Sequence, residues 1–332
     1  MVVVAGIDAG TKSYDFVILK NGEFEVESFD SLKVKEDPKE FFEVIENSEA
    51  TVYAGLSGYG MPIKRFCELS EFDLLLMTLN LESEKSLGLR NILDKLRHRM
   101  DFYTIPGVIH LPTLPEWRKF NRIDLGTSDK VCSAVLAVTS FAEEMSLEKQ
   151  NFILAEIGYG FTSLLAIKNG KIVDALGGTS GFIGFSSLGA MDAEVAYLLG
   201  SFPKSLIFSG GIKDFTKDEK LAIQILSEFV LKGFRALEVS IGKAEFCVLS
   251  GRFAREVEKN LSDLCETRVL KGFCDGKQSA QGAAIVANAI AKGNFRWIVE
   301  HMEIFNAKGS VLDYLYEPIR RRVLERLNLY LR

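Results

Sequence analysis

The feature that most constrains the fold of this chain is a polar turn between two apolar runs, which occurs twice, 148 residues apart. The first copy is AGIDAGTKSYDFVILKNG (5–22) and the second is LAEIGYGFTSLLAIKNG (154–170). In both copies an acid precedes the glycines, a lysine lies twelve residues after the acid, and Asn-Gly follows that lysine. Because Asn-Gly next to alternating apolar runs is typical of a β-hairpin, the chain is predicted to contain two copies of one strand–turn–strand unit.

The first turn is predicted to hold an anion. The residues after it are aromatic and β-branched without a helical period, so the turn does not open a helix as a P-loop or a dinucleotide fold would. Gly10 has no side chain and leaves backbone N–H groups open to a phosphate, while Thr11 adds a hydroxyl and Lys12 a cation. Asp8 provides a carboxylate that can hold a hydrated Mg²⁺ against the same phosphate.

The second copy strengthens this interpretation, because such turns are common without a ligand when they occur once. It places Glu156 at the position of Asp8 and Gly158 at that of Gly10. Both halves also contain a predicted apolar strand that ends in Leu-Ser-Gly, AGLSGYG and CVLSGRF. Each half is therefore predicted to be a βββαβα unit, and the two units are expected to face each other across a cleft. The predicted domains are 1–147 and 148–305, followed by a helical tail at 306–332.

Composition excludes several classes of function. The 332 residues are 47% hydrophobic and 26% charged, which is enough material for two cores. A net charge of −5 gives no basic field for nucleic acid. No apolar run reaches about 18 residues and the first residues lack a basic segment, so neither a membrane span nor a signal peptide is expected. Five cysteines without a CxxC pair and three separated histidines favour reduced thiols in a cytoplasmic protein and argue against a histidine metal site.

Four motifs, in this order, resemble those of the ATP-binding superfamily of actin, Hsp70 and the sugar kinases: DAGTK, EIGYGFTS, VLSGRFAREV and QSAQGAAIVANAIAKG. They are similar to its phosphate-1, phosphate-2, adenosine and closing-helix motifs, and the resemblance spans roughly residues 2–292. The C-terminal half looks most like acetate and butyrate kinases and an archaeal group labelled predicted butyrate kinases. The resemblance implies an α/β fold of duplicated ribonuclease H-like (actin-like ATPase) domains, with mixed sheets flanked by helices and a nucleotide in the interdomain cleft.

The resemblance also implies roles for individual residues. ATP would lie with its phosphates between the two turns, and Asp8 and Glu156 would flank Mg²⁺, although Glu156 departs from the aspartate common at that place in actin and Hsp70. VLSGRF ranks first for the adenosine, and IFSGGIKD (207–214), which is also predicted to end an apolar strand in Gly-Gly, ranks second. The residues implied in nucleotide binding are Gly10, Thr11, Lys12, Gly158, Gly160, Thr162, Gly210, Gly211, Gly251 and Arg252.

The acceptor side is predicted to involve the segment 103–130, which is irregular and contains three of the seven prolines. Asp124 and Asp129 are its candidate bases. Asp129 lies at the start of a predicted helix, where an acid simply complements the helix dipole. Asp124 resembles, in position, the catalytic aspartate that sugar kinases carry ahead of a Gly-Thr turn, and it is the preferred candidate. A carboxylate acceptor would need no base, and Asp124 would then orient an arginine.

Ser57, Gly58 and Tyr59 resemble the glycine-rich strand end that sugar kinases use against their substrate, although the symmetry of the repeat explains them equally well. An arginine would anchor a carboxylate substrate, and Arg122 is one candidate. The others are Arg118 and Arg65, and nothing in the sequence chooses among the three. His110 is predicted to be a packed structural residue and not a donor to a phosphate.

The sequence thus predicts a cytoplasmic, Mg-ATP-dependent kinase with a small-molecule acceptor, and a short-chain carboxylate is the leading analogy. A sugar or polyol kinase and an ATP-dependent conformational switch are the alternatives. The tail from Val311 is predicted to form one or two amphipathic helices broken near Pro318. Such a tail packs on its own domain or on a second subunit, so a homodimer is also an expectation.

Overall fold

A computed structural model describes residues 2–81 and 89–331 of the chain. Within these ranges the strands form two mixed sheets of five strands each. The strands of the first sheet are β1 (Val3–Ala9), β2 (Ser13–Lys20), β3 (Glu23–Asp30), β4 (Val52–Gly55) and β5 (Phe102–Tyr103). Those of the second sheet are β6 (Phe152–Ile157), β7 (Thr162–Lys168), β8 (Lys171–Leu176), β9 (Phe246–Ser250) and β10 (Thr267–Val269).

The two sheets have the same topology. Their strand orders are β3-β2-β1-β4-β5 and β8-β7-β6-β9-β10. In each, an antiparallel meander is extended by two parallel strands. The predicted fold class, a duplicated α/β unit, is therefore confirmed.

The repeated turns are equivalent in detail, whereas the Leu-Ser-Gly match is not. Gly10 N donates to Ser13 O at 3.0 Å, and Gly158 N donates to Phe161 O at the same distance. In contrast, β4 ends at Gly55, so that the first Leu-Ser-Gly lies beyond the strand, whereas β9 runs through Ser250. The prediction of a strand ending in Leu-Ser-Gly is thus right for the second half and wrong for the first.

Helices flank both sheets. They are α1 (Ser31–Glu36), α2 (Lys39–Asn47), α3 (Glu71–Thr78), α4 (Leu89–Leu96), α5 (Glu116–Lys119), α6 (Ser128–Phe141), α7 (Ala193–Leu199), α8 (Ile212–Phe215), α9 (Glu219–Ile241), α10 (Ala254–Leu261), α11 (Gln278–Ile290), α12 (Arg296–His301) and α13 (Glu317–Tyr330). Pro318 does not break the tail, because it lies in the first turn of α13, where its missing N–H costs nothing. In the part of the chain that the structure describes, no helix is long and apolar enough to cross a membrane.

Two helices cross between the halves. Helix α11, from the second half, packs on β1 of the first sheet so closely that a methyl group on Gly6 would lie 2.1 Å from Ala284 N. Helix α6, from the first half, ends in Phe141, whose ring lies 5.4 Å from that of Phe152 in the second sheet. The two helices also touch at Gly282, where a methyl group would lie 1.9 Å from the carbonyl oxygen of Cys132. The division at 147 and 305 stays a prediction, and each side of it contributes a helix to the other.

Candidate active site

One cleft of about 1070 Å³ lies between the halves. Both repeated turns line it, which is the arrangement that the duplicated sequence predicts. Ligand pockets are typically about 300–1,000 Å³, so the cleft has room for a nucleotide-sized molecule. The predicted site residues that line it are Asp8, Gly10, Thr11, Lys12, Gly58, Tyr59, Asp124, Glu156, Gly158, Gly160, Gly251 and Arg252.

The tips of the two turns face each other directly. A methyl group placed on Gly160 would lie 3.8 Å from Thr11 Oγ1. Lys12 Nζ lies 4.6 Å from the centre of the Tyr159 ring. Gly10 and Gly158 therefore open onto one shared crevice, and a phosphate chain placed there would meet backbone N–H groups from both halves.

Asp8 is paired with a lysine from the far end of the chain. Lys277 Nζ lies 3.1 Å from Asp8 Oδ2 and donates also to Ser13 O. The Lys277 backbone N–H donates to Asp15 Oδ2 at 2.8 Å. Burial raises the pKa of Asp8 above its ordinary value, and the Lys277 ammonium opposes that rise. Lys277 thus ties the start of α11 to the first turn and neutralises the acid that the turn carries.

Glu156 has the same kind of partner. Lys130 Nζ lies 2.5 Å from Glu156 Oε2 and 2.7 Å from Asp129 Oδ2. Burial disfavours the ammonium, but the two carboxylates outweigh burial and raise the pKa of Lys130, so the side chain is a cation at neutral pH. Burial opposes ionisation of Asp129 as well, yet Lys130 lowers the pKa of Asp129 below its ordinary value. Lys130 therefore stands between two acids as their shared counter-charge.

At the end of β9 the backbone has no side chain in the way of a ligand, which the predicted adenosine contact requires. Gly251 has φ 89°, and a methyl group on it would lie 2.7 Å from Ile157 O, so a side chain cannot be accommodated there. Gly251 and Arg252 line the cleft, whereas Gly210 and Gly211 do not. The residues before Gly210 form a 3₁₀ helix, Lys204–Phe208, so the predicted apolar strand in IFSGG is wrong. Of the two candidate adenosine motifs, VLSGRF is the one whose glycine lines the cleft, whereas IFSGGIKD contributes only Phe208 to it.

Asp124 lines the cleft, but its carboxylate is already hydrogen-bonded. Oδ1 accepts from Gly126 N at 2.8 Å, and Oδ2 accepts from Thr179 N at 2.8 Å and from Thr179 Oγ1 at 2.9 Å. The side chain is buried, with 5% of the residue exposed. Because Thr179 follows β8, these bonds join the acceptor side of the first half to the second half.

Several predicted residues lie off the cleft. Ser57 is buried, and its hydroxyl donates to Gly55 O and accepts from Ile105 N, each at 2.8 Å. Arg122 is exposed outside the cleft, and Thr162 is buried at the start of β7. His110 is 2% exposed and does not line the cleft. Burial lowers the pKa of His110 to about 4, which fits its predicted packing role.

A family described as "Protein of unknown function (DUF1464)" matches residues 6–317. The chain belongs to this family. Among curated proteins, none matches this DUF1464 protein.

Two solved structures align with the DUF1464 protein over most of its length. The acetate kinase of Entamoeba histolytica aligns with a TM-score of 0.53 and 13% identity, over 79% of this chain and 85% of that one. The ROK hexokinase of Thermus thermophilus aligns with a TM-score of 0.38 and 12% identity, over 87% and 100% of the two chains. The acetate kinase comparison, together with the duplicated sheet topology, shows that the DUF1464 protein has the actin-like ATPase fold.

The carboxylates of the DUF1464 cleft fit a magnesium ion that arrives with a phosphate. Burial raises the pKa of both Asp8 and Glu156, and a divalent cation would relieve that cost. Both side chains line the cleft, and across residues 2–81 and 89–331 no group of three or more His, Cys, Asp or Glu side chains could hold a metal by itself. Mg²⁺ is usually bound by one or two carboxylates together with water and phosphate oxygens, which is what these acids offer.

Sequence reasoning missed the two lysines. Lys130 follows the candidate base Asp129 in the first turn of α6, and Lys277 directly precedes α11. A charged residue at a helix start is ordinary, so neither position carries a distinctive local signal. The signal is tertiary, because Lys130 reaches Glu156 and Lys277 reaches Asp8 only when α6 and α11 cross between the halves.

Proposed function

We propose that the DUF1464 protein is a Mg-ATP-dependent kinase that transfers the γ-phosphoryl group to a small acceptor. The observation that carries this proposal is the pair of equivalent turns facing each other across one cleft, with Asp8 and Glu156 beside them. The N–H groups of Gly10 and Gly158 close their own turns, so the backbone N–H groups that follow them, at Thr11 and Lys12 and at Tyr159 and Gly160, would bind phosphate oxygens. Gly251 would let the adenosine approach the end of β9.

The residues of this site bind and orient more than they react. Phosphoryl transfer depends mainly on in-line positioning and on neutralisation of charge. The acceptor oxygen bonds to the γ-phosphorus as the bond to the β–γ bridging oxygen breaks, and ADP leaves with that electron pair. Lys130 and Lys277 would hold Glu156 and Asp8 in place before the nucleotide enters. A bound Mg²⁺ would neutralise the phosphate oxygens and orient the γ-phosphoryl group.

A short carboxylate is the acceptor that the site favours. An alcohol acceptor benefits from a base that takes its proton, and the preferred candidate, Asp124, already accepts hydrogen bonds from Gly126 and Thr179 on both of its oxygens. A carboxylate acceptor is ionised at neutral pH and needs no base. The cleft also offers apolar side chains and a cation, namely Met77, Leu89, Phe208 and Lys204, and Lys204 Nζ lies 5.0 Å from the centre of the Tyr59 ring.

The test is ATP binding followed by an acceptor screen. Isothermal titration calorimetry with and without Mg²⁺ would measure ATP binding. ADP release would then be followed with carboxylates of two to five carbons, glycerol and glucose, and hydroxylamine would trap any acyl phosphate. Turnover with a carboxylate is expected. Turnover only with glycerol or glucose would overturn the carboxylate assignment, and ATP binding without any turnover would support a conformational switch instead.

The variants Asp124→Asn and Thr179→Val test whether Asp124 acts as a general base or only hydrogen-bonds the first half to the second. Asn cannot accept a bond through its amide nitrogen, and Val removes only the Thr179 hydroxyl bond. If Asp124 positions the loop, as its bonds indicate, both variants should lower turnover by comparable factors of less than about tenfold. Steady-state kinetics with the best acceptor measures this. A loss of about 100-fold or more in Asp124→Asn alone, with ATP affinity kept, would identify Asp124 as a general base.

A further inference from the structure

A second pocket, of about 400 Å³, lies between α5 and the segment before α13, and it shares no lining residue with the cleft. We call it the Trp117 pocket. Three of its side chains are aromatic and two are acidic, and among the residues that the structure describes no lysine, arginine or histidine lines it. Its lining residues are Glu116, Trp117, Phe120, Asp313, Tyr314 and Leu315.

Hydrogen bonds fix the two walls of the Trp117 pocket to each other. Asn121 N donates to Tyr314 O at 2.9 Å, and Asn121 Oδ1 accepts from Tyr316 N at 2.7 Å. Lys119 Nζ donates to Tyr314 Oη at 3.3 Å and to Leu111 O at 2.6 Å. The relative placement of the walls is therefore set by the backbone and by a buried lysine, and not by a chance approach of surface side chains.

Two rings of the pocket are open to a ligand. Trp117 is 77% exposed and Phe120 is 57% exposed. Tyr314 packs against the core of the protein, whereas Trp117 and Phe120 are not among the side chains that do. Exposed apolar side chains that lie together mark a binding site more often than isolated ones do. Because the face of an aromatic ring is negative, such a site attracts a cation.

The charged groups of the pocket also favour a cation. Glu116 lies in the first turn of α5, and none of the ion pairs within residues 2–81 and 89–331 involves it. Asp313 is held in place, since it pairs with Arg320 at 3.1 Å and accepts from Ser310 N at 2.7 Å. Burial raises the pKa of Tyr314, and the negative fields of Glu116 and Asp313 raise it further. Both acids therefore act on the space beside this ring.

One ammonium group lies close to the pocket without lining it. Lys119 Nζ is 4.7 Å from the centre of the Tyr314 ring, and the residue is 2% exposed. Burial lowers the pKa of Lys119. Lys119 offsets part of the negative charge at Tyr314, so a cation in the pocket would be attracted mainly by Trp117, Phe120 and Glu116.

We infer that the Trp117 pocket binds a small soluble quaternary ammonium compound of the choline class. The rings would attract its charge and bury its methyl groups, and Glu116 would add charge complementarity. A primary ammonium group has three hydrogens that need acceptors, whereas a quaternary ammonium has none and suits a pocket in which Asp313 is already engaged. The inference is independent of the proposed function, because the pocket and the cleft have no lining residue in common.

Choline and 3,3-dimethyl-1-butanol are the matched probes, because the alcohol has the shape of choline without its charge. Each is titrated into the full chain by isothermal titration calorimetry at constant ionic strength. Choline should bind with a Kd of about 1 mM or tighter, and the alcohol should bind about tenfold more weakly or not at all. Absence of choline binding, or equal binding of the two probes, would overturn the inference.

Variants with a changed ring test the site directly. Trp117→Leu keeps an apolar side chain but removes the ring, and its affinity for choline should fall about tenfold or more. Trp297→Leu is the matched control, because Trp297 is the other tryptophan, is 52% exposed and lies on α12 outside the pocket. Equal affinity for choline in these two variants would overturn the site.

A second pair of variants tests the charge. Glu116→Gln should weaken choline binding about threefold, as expected for one exposed charge contact. Glu219→Gln is the control, because it removes an acid from the first turn of α9 and changes the net charge equally, and it should bind choline as the unaltered protein does. Both acids are exposed, so the thermal midpoints should be nearly unchanged. Choline affinity that is the same in both variants would contradict the role of Glu116.

Two further measurements distinguish other occupants of the pocket. Trp117→Leu should leave the sedimentation coefficient unchanged, and a dimer that this variant dissociates would instead assign the pocket to an interface between two copies of the chain. The protein should not float with phosphatidylcholine vesicles. Flotation that depends on Trp117 would assign the pocket to a lipid headgroup and overturn the soluble ligand.

Discussion

Lys130→Met should destabilise the folded protein by about 3 kcal/mol at pH 7, because it leaves Glu156, with a side chain 15% exposed, and the half-buried Asp129 without their counter-charge. Lys130 Nζ lies within 2.7 Å of an oxygen of both Asp129 and Glu156, and its side chain is only 13% exposed. Urea denaturation in EDTA measures the loss. The control is Lys232→Met, which breaks an exposed pair with Glu228 and should cost less than about 1 kcal/mol.

The loss of folding stability in Lys130→Met should depend on pH in a defined direction. Without the ammonium, the folded-state pKa of Glu156, which burial already raises, rises further and that of Asp129 is no longer lowered by Lys130, so protonation favours the folded variant. Its stability deficit should therefore shrink as the pH falls from 8 towards 5 and grow as the pH rises. The double variant Lys130→Met/Glu156→Gln should recover part of the loss. A stability deficit that does not change with pH would contradict the role of Lys130 as the shared counter-charge of Asp129 and Glu156. A double variant that is less stable than Lys130→Met would contradict it as well.

Asp8→Asn should lower Mg-dependent ATP turnover by about 100-fold or more, since an amide holds a hydrated magnesium ion far less well than a carboxylate. The fold should persist, because Asn keeps the shape of the side chain and removes a charge whose burial is costly. ADP release measured against Mg²⁺ concentration checks the prediction, together with the thermal midpoint.

Asp30→Asn is the matched control for Asp8→Asn. Asp30 caps α1 and does not line the cleft, with its side chain accepting from Leu32 N and Lys33 N. Asn is an equally good N-cap, so this variant should keep both stability and turnover. If Asp8→Asn retains the turnover of Asp30→Asn, Asp8 is not part of the phosphoryl-transfer site.

The sequence predicts the hairpins well because their signals are local. An acid, a glycine turn, a β-branched run and Asn-Gly specify each hairpin within about twenty residues, and the repeat removes the ambiguity of a single copy. Farther along the chain, the local sequence is a poorer guide to which apolar runs form strands. The run before Gly210 is as apolar as a strand, yet it forms a 3₁₀ helix, since β9 takes the place beside β6 and a strand forms only where it finds a partner.

The electrostatics of the site is the part that the sequence does not reveal. Lys277 lies 269 residues from Asp8 along the chain, and no spacing rule connects them. Likewise, nothing local marks Thr179 as the partner of Asp124. Such pairs depend on how the helices and long loops fold back over the cleft, which is decided by packing of the whole molecule.

The crossed helices set a limit on how this protein can be divided. A fragment that stops at residue 147 would lack α11, and the surface of β1 around Gly6 would lose its cover. A fragment that starts at residue 148 would lack Phe141 and expose the aromatic face of Phe152 and Phe246. Neither half is expected to be soluble when expressed alone, whereas the two co-expressed fragments should associate, because each supplies the helix that completes the other.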